Sequence, residues 1–418
     1  MRTGEQTSGP DRIPFGGGWS AEIYRHWEYP DDVITSWADL ARSYGDFGLF
    51  LLPGWFECLS RHLLQDGQTF VVVVKHAGQT RGIFPCRLDW KPDGTVALSG
   101  LADELADVPY DFLTSTGDKR RTAALFLRAA EAAGSISSAH WTNLPARRNA
   151  NVAALGRALR RRFYPVYIEE RIRCPEVDLR LPSWEVYADG LRFKRSIGRA
   201  RSKAEATGQL SFDVHRSMAG LDDVLTDAFR VERSSWKGGM GTAIAQDPAA
   251  EAYYRALSRW AAEQGKLYLF TLRHDGALIA FDLCLANGST AFGMKTGYDQ
   301  VRARSLSPGN LLRYEDIRYF YQAGGFLRFN FLGACHPSKR DWTPLAGRYF
   351  SVSVFSRTVR GWSGFIRRYG WKQPLKKFDA LVALVRRRRL AASDDTRGWT
   401  VPERVRPADD DPRASPRP

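Results

Sequence analysis

Cysteine is scarce in this chain of 418 residues, with only Cys58, Cys86, Cys174, Cys284 and Cys335. The number is odd, no two form a Cys-x-x-Cys pair, and their surroundings are mostly apolar, so reduced, partly buried thiols are expected rather than a disulfide framework. Metal-ligating patterns are also missing. No His-Glu-x-x-His or Asp-x-Asp-x-Asp-Gly spacing occurs, and the adjacent pair Cys335-His336 falls short of the three protein ligands of a catalytic zinc, so no metal is expected. The Gly-x-Ser-x-Gly elbow of hydrolases is absent as well, which argues against a covalent serine mechanism. No apolar run approaches the ~18 residues of a membrane span, and the first twenty residues lack the apolar core of a secretory signal. A soluble, cytoplasmic protein without a transmembrane segment is therefore expected.

What is present is enough to fold. Hydrophobic residues make up 44% and aromatic residues 12% of the chain, which excludes a mainly disordered protein. The length suits two domains of roughly 150 to 200 residues. Basic residues outnumber acidic ones, 61 to 46, giving a formal charge of +15, and the excess is concentrated. Residues 357–389 carry eleven basic side chains against Asp379, and residues 192–203 carry six with no acid, so the rest is nearly neutral. These two segments are where an anionic partner, tRNA or an anionic lipid surface, would be met. A basic amphipathic helix over 375–390 would allow a peripheral position at the inner face of the membrane.

Helical and strand patterns alternate along the chain. Residues 36–44 and 52–64 read as helices and 70–74 as a strand, and a second series starts after the strand-like stretch 164–181. Two passages match at a fixed spacing of 198 residues. Gly67, the apolar strand to Lys75, His76, Gly78 and Cys86 recur as Gly265, the apolar strand to Arg273, His274, Gly276 and Cys284. Each reads as a β-hairpin with a glycine in its tight turn, and coincidence at one offset favours duplication. His76 and His274, beside the turns, read as solvated structural residues. The division expected is a disordered leader over 1–20, domains over 21–180 and 181–356, a basic, partly helical extension over 357–390 and a disordered tail over 391–418.

In the second copy the strand carrying Lys295, Thr296, Gly297, Tyr298 and Asp299 precedes Ser307-Pro308-Gly309-Asn310-Leu311, where Ser at the N-cap and Pro at the first position start a helix. Unpaired amides at such a start carry the positive end of the helix dipole and suit a pyrophosphate, with Gly309 permitting close approach. Ser-Pro-Gly also simply starts helices.

The order helix, hairpin, strand, loop, helix, strand resembles the GNAT superfamily of acyl-CoA-dependent N-acyltransferases, and more closely the CelD/BcsL-type branch related to the FemAB peptidoglycan aminoacyltransferases. The residues that carry the resemblance are Ser235-Trp236-Lys237-Gly238 with Gly241-Thr242, the stretch from Lys295 to Asp299, Ser307-Pro308-Gly309, and Phe331-Leu332-Gly333 with Lys339 and Trp342. It covers residues 185–345 well and the first half loosely, through Pro109-Tyr110-Asp111-Phe112. The usual pyrophosphate loop, Arg or Gln followed by Gly-x-Gly or Gly-x-Ala, is replaced by Ser307-Pro308-Gly309-Asn310.

The resemblance implies an α/β fold of two tandem GNAT-like domains, with a mixed sheet flanked by helices. It also implies an N-acyltransferase using acetyl-CoA or another acyl-CoA on an amine of a small molecule or glycan precursor, in cell-envelope or exopolysaccharide synthesis. A FemAB-like aminoacyl-tRNA-dependent transferase and a non-catalytic scaffold of a surface-polysaccharide system are the alternatives. Residues 307–311 would bind the acyl carrier, and the backbone around Lys295, with its ammonium, would hold the oxyanion. Tyr298 would protonate the leaving group, and Asp299 or Asp282 would act as base. Tyr298 and Asp299 could equally finish a strand. Trp236 and Lys237 resemble a substrate-facing lid, and Tyr110, Asp111, Lys339 and Trp342 stand as further substrate contacts. Lys295→Ala and Gly309→Asp should each lower acyl transfer by about tenfold or more in a folded protein, measured as CoA release; unchanged rates would remove both residues from the site.

Overall fold

The computed structural model describes residues 9–65, 67–101, 107–146, 150–301 and 303–370. The expected helix over 375–390 and the tail over 391–418 lie outside them. The first half runs β1 (Asp11–Gly16), β2 (Trp19–Tyr24), α1 (Asp31–Arg42), α2 (Pro53–Leu63), β3 (Thr69–His76), β4 (Gln79–Trp90), β5 (Val96–Gly100), β6 (Leu113–Thr114), α3 (Lys119–Ala133), β7 (Ile136–Pro145), α4 (Ala150–Arg161) and β8 (Val166–Asp178). The second runs α5 (Trp184–Asp189), α6 (Lys194–Thr207), β9 (Leu210–His215), α7 (Leu221–Arg233), α8 (Trp236–Gly239), α9 (Pro248–Glu263), β10 (Leu267–His274), β11 (Ala277–Asn287), β12 (Thr290–Tyr298), α10 (Pro308–Ala323), β13 (Arg328–Asn330), α11 (Pro337–Arg340), β14 (Ala346–Phe355) and α12 (Val359–Tyr369). None of the described helices is long and apolar enough to cross a membrane.

Duplication is visible in backbone detail. In the first hairpin, Ala77 and Gly78 take positive φ (47° and 80°), and in the second Asp275 and Gly276 do the same (50° and 76°). Two successive left-handed residues make the type I′ turn whose twist matches the paired strands. Each hairpin also shifts register at the same place, between Val74 and Lys75 in one and between Leu272 and Arg273 in the other. Cys86 and Cys284, the next matched pair, are both buried.

The strands form one sheet in the order β1-β2-β3-β4-β5-β7-β14-β8-β13-β12-β11-β10-β9, with β6 beside β4. From β2 to β9 this order reads as two copies back to back. In each copy one central pair is parallel, β5 with β7 and β12 with β13, and the other pairings are antiparallel. The last strands are exchanged. β14, from the end of the second half, lies beside β7 of the first, while β8, from the end of the first half, lies beside β13 of the second. The expected cut at 180/181 therefore does not separate two closed bodies, because each half lends its final strand to the other's sheet.

The leader also differs from expectation. Residues 11–16 and 19–24 are strands, with β2 paired to β3 along its length. Gly16, Gly17 and Gly18 have φ of 79°, 58° and 75° and make the turn, and Trp19 stacks on His76 at 4.4 Å. A glycine run that looks like a flexible leader here supplies the left-handed residues of a hairpin.

A continuous apolar core joins the halves. Phe50, after α1, meets Phe292 of β12 edge-on at 4.9 Å, and α2 packs on α9 through Trp55 and Tyr253. A polar clasp lies beside it: Asp46 Oδ2 accepts from the hydroxyls of Ser289 (2.9 Å) and Thr290 (2.6 Å), and Arg328 Nη2 is 3.5 Å away.

With a shared core and exchanged strands, the chain should unfold as one unit. Far-UV circular dichroism and tryptophan fluorescence should melt together, and a fragment ending at residue 345, which exposes the edges of β7 and β8, should lose the cooperative transition. Two separate transitions would show independent halves.

Candidate active site

β12 starts in contact with β13, with Thr290, Ala291 and Phe292 opposite Arg328, Phe329 and Asn330, and then the two strands part. On its other side β12 stays paired to β11 as far as Tyr298, with Met294 as an extra residue between the pairs Leu283–Lys295 and Cys284–Gly293. A bulge of this kind bends a strand and re-aims the side chains after it. Beyond Phe292 and Asn330 the two central strands are no longer paired, an opening in the hydrogen-bond ladder that begins where the β12 backbone is deformed.

The α10 face of this opening is closed by a buried ion cluster. Arg313 of α10 donates to Asp282 Oδ1 of β11 at 2.9 Å and to the Thr296 hydroxyl of β12 at 2.5 Å. Its guanidinium also lies 5.1 Å from the Phe329 ring centre and 5.3 Å from that of Phe331. A side chain at Gly293 would come within 3.0 Å of Arg313 Nη1. Asp316, one turn along α10 and fully buried, has its Oδ2 4.0 Å from that same nitrogen. Burial first, then the charge of Asp282 and a hydrogen bond to it, hold the Asp316 carboxyl well above the usual carboxylate range. Burial and the neighbouring Asp282 thus favour the protonated form of Asp316.

Asp282, named with Asp299 as a candidate base, is fully buried, and its carboxylate is committed to Arg313. An acid interrupting an apolar strand needs a buried cation as partner, and that demand was the signal for Arg313. On α10 the residues Leu312, Arg313, Asp316, Ile317 and Phe320 share the buried face.

On the opposite face, Lys295 points toward α7 and α9. Its Nζ is 4.0 Å from Glu232 Oε1 and 5.3 Å from the Tyr254 ring centre. Glu232 is fully buried and also accepts the Ile244 amide at 2.8 Å. Sequence reading missed Glu232, whose only signal is an acid on the apolar side of α7. Trp236 and Lys237 fall in α8, a four-residue helix rather than an open loop; their side chains lie outside the described part of the structure.

The start of α10 differs from expectation in two respects. Ser307 occupies the N-cap with φ 49° but makes no capping hydrogen bond through its side chain. The absence of bulk at Gly309 accommodates a protein ring, since a Cβ there would lie 3.0 Å from Tyr298 Cδ1. Beside this helix start is a pocket of about 340 Å³, lined by Arg192, Phe193 and Ser196 before and within α6, by Ser307, Asn310 and Leu311, and by Ser338, Asp341 and Trp342. It joins cationic, hydroxyl and aromatic groups to the positive end of a helix dipole.

The remaining candidates are scattered. Asp299 Oδ1 accepts the Val301 amide at 2.9 Å, a loop-capping bond, and the residue lines a different pocket with Arg230, Ser234 and Arg273. Lys339 donates to the Leu332 carbonyl at 2.7 Å, and burial lowers its pKa. That bond ties the loop after β13 rather than reaching a phosphate. Tyr110 and Asp111 lie in the first half. The Tyr110 ring covers Gly100 at the end of β5, its amide donates to Asn143 of β7 and its hydroxyl to Pro85 of β4. Tyr110 and Phe112 are both buried, and Phe112 packs between Phe84 of β4 and Trp141 of β7. Next to them is a pocket of about 320 Å³ between the halves, lined also by Asp46, Phe47 and Arg328.

A family model described as an acetyltransferase (GNAT) domain matches residues 192–340, from the approach to α6 through α11. No curated protein matches the chain. Among solved structures, FemX is similar over 79% of this chain and 96% of its own, with 13% identity and a TM-score of 0.50. A tandem GNAT protein from the clavulanic acid biosynthesis pathway matches over 80% and 99%, with 18% identity and a TM-score of 0.47. L-PGS from Bacillus licheniformis matches over 72% and 87%, with 12% identity and a TM-score of 0.44. The fold is a tandem of two GNAT-like halves, and the stretch matched by the family model contains β12, β13 and all of the α10 pocket's lining except Asp341 and Trp342.

The ion cluster makes a measurable demand on stability. An unfolded aspartate ionises near pH ~4, whereas burial and Asp282 raise the Asp316 pKa in the fold, so stability should fall as pH rises above that value. Asp316→Asn should match wild type in urea unfolding below pH ~4 and be more stable at neutral pH. Identical pH slopes would show an ionised Asp316. Arg313→Met should cost about 3–5 kcal/mol, because it strands the Asp282 charge.

Proposed function

We propose that the protein is an N-acyltransferase of the CelD/BcsL-type branch, moving an acyl group from acyl-CoA to an amine acceptor through the second half. The observation that carries this reading is the end of β12–β13 pairing at Phe292 and Asn330 together with the pocket at the α10 start, in or bordering the stretch matched by the GNAT domain model. In this reading the α10 amides, Arg192 and Ser307 meet the CoA phosphates, and the pantetheine arm enters between the parted strands. The bulged backbone at Met294 receives the thioester oxygen.

The amine nitrogen attacks the thioester carbon and forms the new C–N bond. The tetrahedral oxyanion collapses with cleavage of the C–S bond, the nitrogen proton passes to a base, and the thiolate takes a proton. Tyr298, against the first turn of α10, serves as that proton donor. Asp282 is held by Arg313, which leaves Asp299 as the base among the two carboxylates. Lys295, held by Glu232, adds positive charge on the acceptor side. The acceptor fits an amine of a cell-envelope or exopolysaccharide precursor.

The exposed cations of α6, Arg195, Arg199 and Lys203, support a second reading in which the acyl carrier is aminoacyl-tRNA. A thermal-shift comparison separates the two. Acetyl-CoA or a longer acyl-CoA should raise the melting temperature, the shift should survive about 0.2 M salt, and Arg192→Glu should reduce it. Stabilisation by tRNA alone, lost with added salt, would favour the second reading; no response to either would remove the transferase assignment.

A further inference from the structure

Four large apolar side chains left in water gather at one end of the sheet: Trp90 (56% exposed), Phe163 (77%), Val359 (86%) and Trp362 (42%). Strand register brings them together. Trp90 ends β4 opposite Val96, the first residue of β5, and Val96 pairs with Ile136, the first residue of β7. Two residues further on, Ser138 pairs with Phe355, the last residue of β14, and Val354 pairs with Val166, the first of β8. Phe163 stands in the turn entering β8, whose Pro165 carbonyl accepts the Phe355 amide at 3.0 Å. α12 begins four residues later and is fixed to this end by Phe365 on Phe355 (5.8 Å) and Tyr369 on Tyr167 (3.7 Å). Its inner side is thereby satisfied, while Val359 and Trp362 remain outside.

Cations surround these side chains. Lys91, Arg161, Arg360, Arg367 and Arg368 are exposed. The nearby acid Glu131 is already engaged by Arg162, Tyr164 and Arg357. Asp93 is held below its usual range by the Thr95 hydroxyl and amide and, more weakly, by Arg360. In the sequence, residues 371–390 add seven basic residues against Asp379.

The geometry points to this corner as a docking surface for an anionic lipid bilayer, with Phe163, Val359 and Trp362 entering the headgroup boundary and the arginines meeting lipid phosphates. Exposed aliphatic and aromatic groups ringed by arginine suit an interface that is apolar inside and anionic at its surface. A nucleic acid would use the charge and gain little from Val359. β8 is antiparallel to β13, and β13 is parallel to β12, so the docking corner faces the side toward which β12 and β13 open. That placement would bring a membrane-borne acceptor to the site, a consequence that rests on the proposed function; the docking itself does not.

Flotation of the full chain with vesicles tests the docking without any assay of transfer. Wild type should float with phosphatidylcholine vesicles containing about 30% phosphatidylglycerol and remain unbound with phosphatidylcholine alone. Val359→Ser combined with Trp362→Ser should weaken that binding at least about tenfold, and Arg360→Glu with Arg368→Glu should abolish it. Coincident melting curves would establish that the variants are folded. Absence of wild-type binding, or full binding by the Val359→Ser/Trp362→Ser protein, would overturn the proposal. So would capture of an RNA oligonucleotide, with no vesicle binding, equally by wild type and that variant.

Discussion

The pairing of β14 with β8 at the centre of the sheet is the constraint on which the rest of the molecule depends. Each is the last strand of its own copy, yet each completes the other's set. Neither half can move far from the other without breaking strand-to-strand hydrogen bonds in mid-sheet, where no water is ready to replace them. The relation between the halves is therefore fixed by main-chain bonding as well as by the side chains between α2 and α9. The site in the second half inherits that rigidity, since β13, one wall of the opening, is held by β8 from the first.

Within this frame the two copies have taken different courses. In the first, Phe112 packs between Phe84 of β4 and Trp141 of β7, and the hydroxyl and amide of Tyr110 are bonded to β4 and β7. In the second, the corresponding floor is a guanidinium held between two acids and two aromatic rings. Its wall geometry depends on Gly293, which allows Arg313 to approach β12. One copy thus has buried aromatic side chains beside its parallel strand pair, and the other a buried ion cluster.

Much of this organisation is legible in the sequence because local pattern determines it. The hairpins, their positive-φ turns and the α10 start follow from glycine placement and apolar periodicity, which act over a few residues. What escapes has its cause far along the chain. Nothing local to residues 346–355 says that they pair with β7 rather than with their own copy. The partners of Asp282 lie on α10, and the role of Glu232 depends on Lys295 and Ile244, all set by tertiary packing. Gly309 suits close approach of a phosphate by its sequence, but the neighbour it accommodates is Tyr298, placed by tertiary packing. The glycine run at 16–18 was misread because the strand that recruits it, β3, lies some fifty residues away.

The strand exchange also sets an order of events during synthesis. The outer edge of β7 is complete once residue 145 has been made, but the strand that covers it spans Ala346–Phe355. For the whole of that interval the first half presents an unpaired edge, and β8 waits for β13 on its other side. A nascent chain in this state is open to pairing with its neighbours. Closure waits for a long-range contact of high sequence separation, the kind that slows folding most. The sheet is therefore completed only after residue 355 has been made, in a late step that supplies both copies with their last strand.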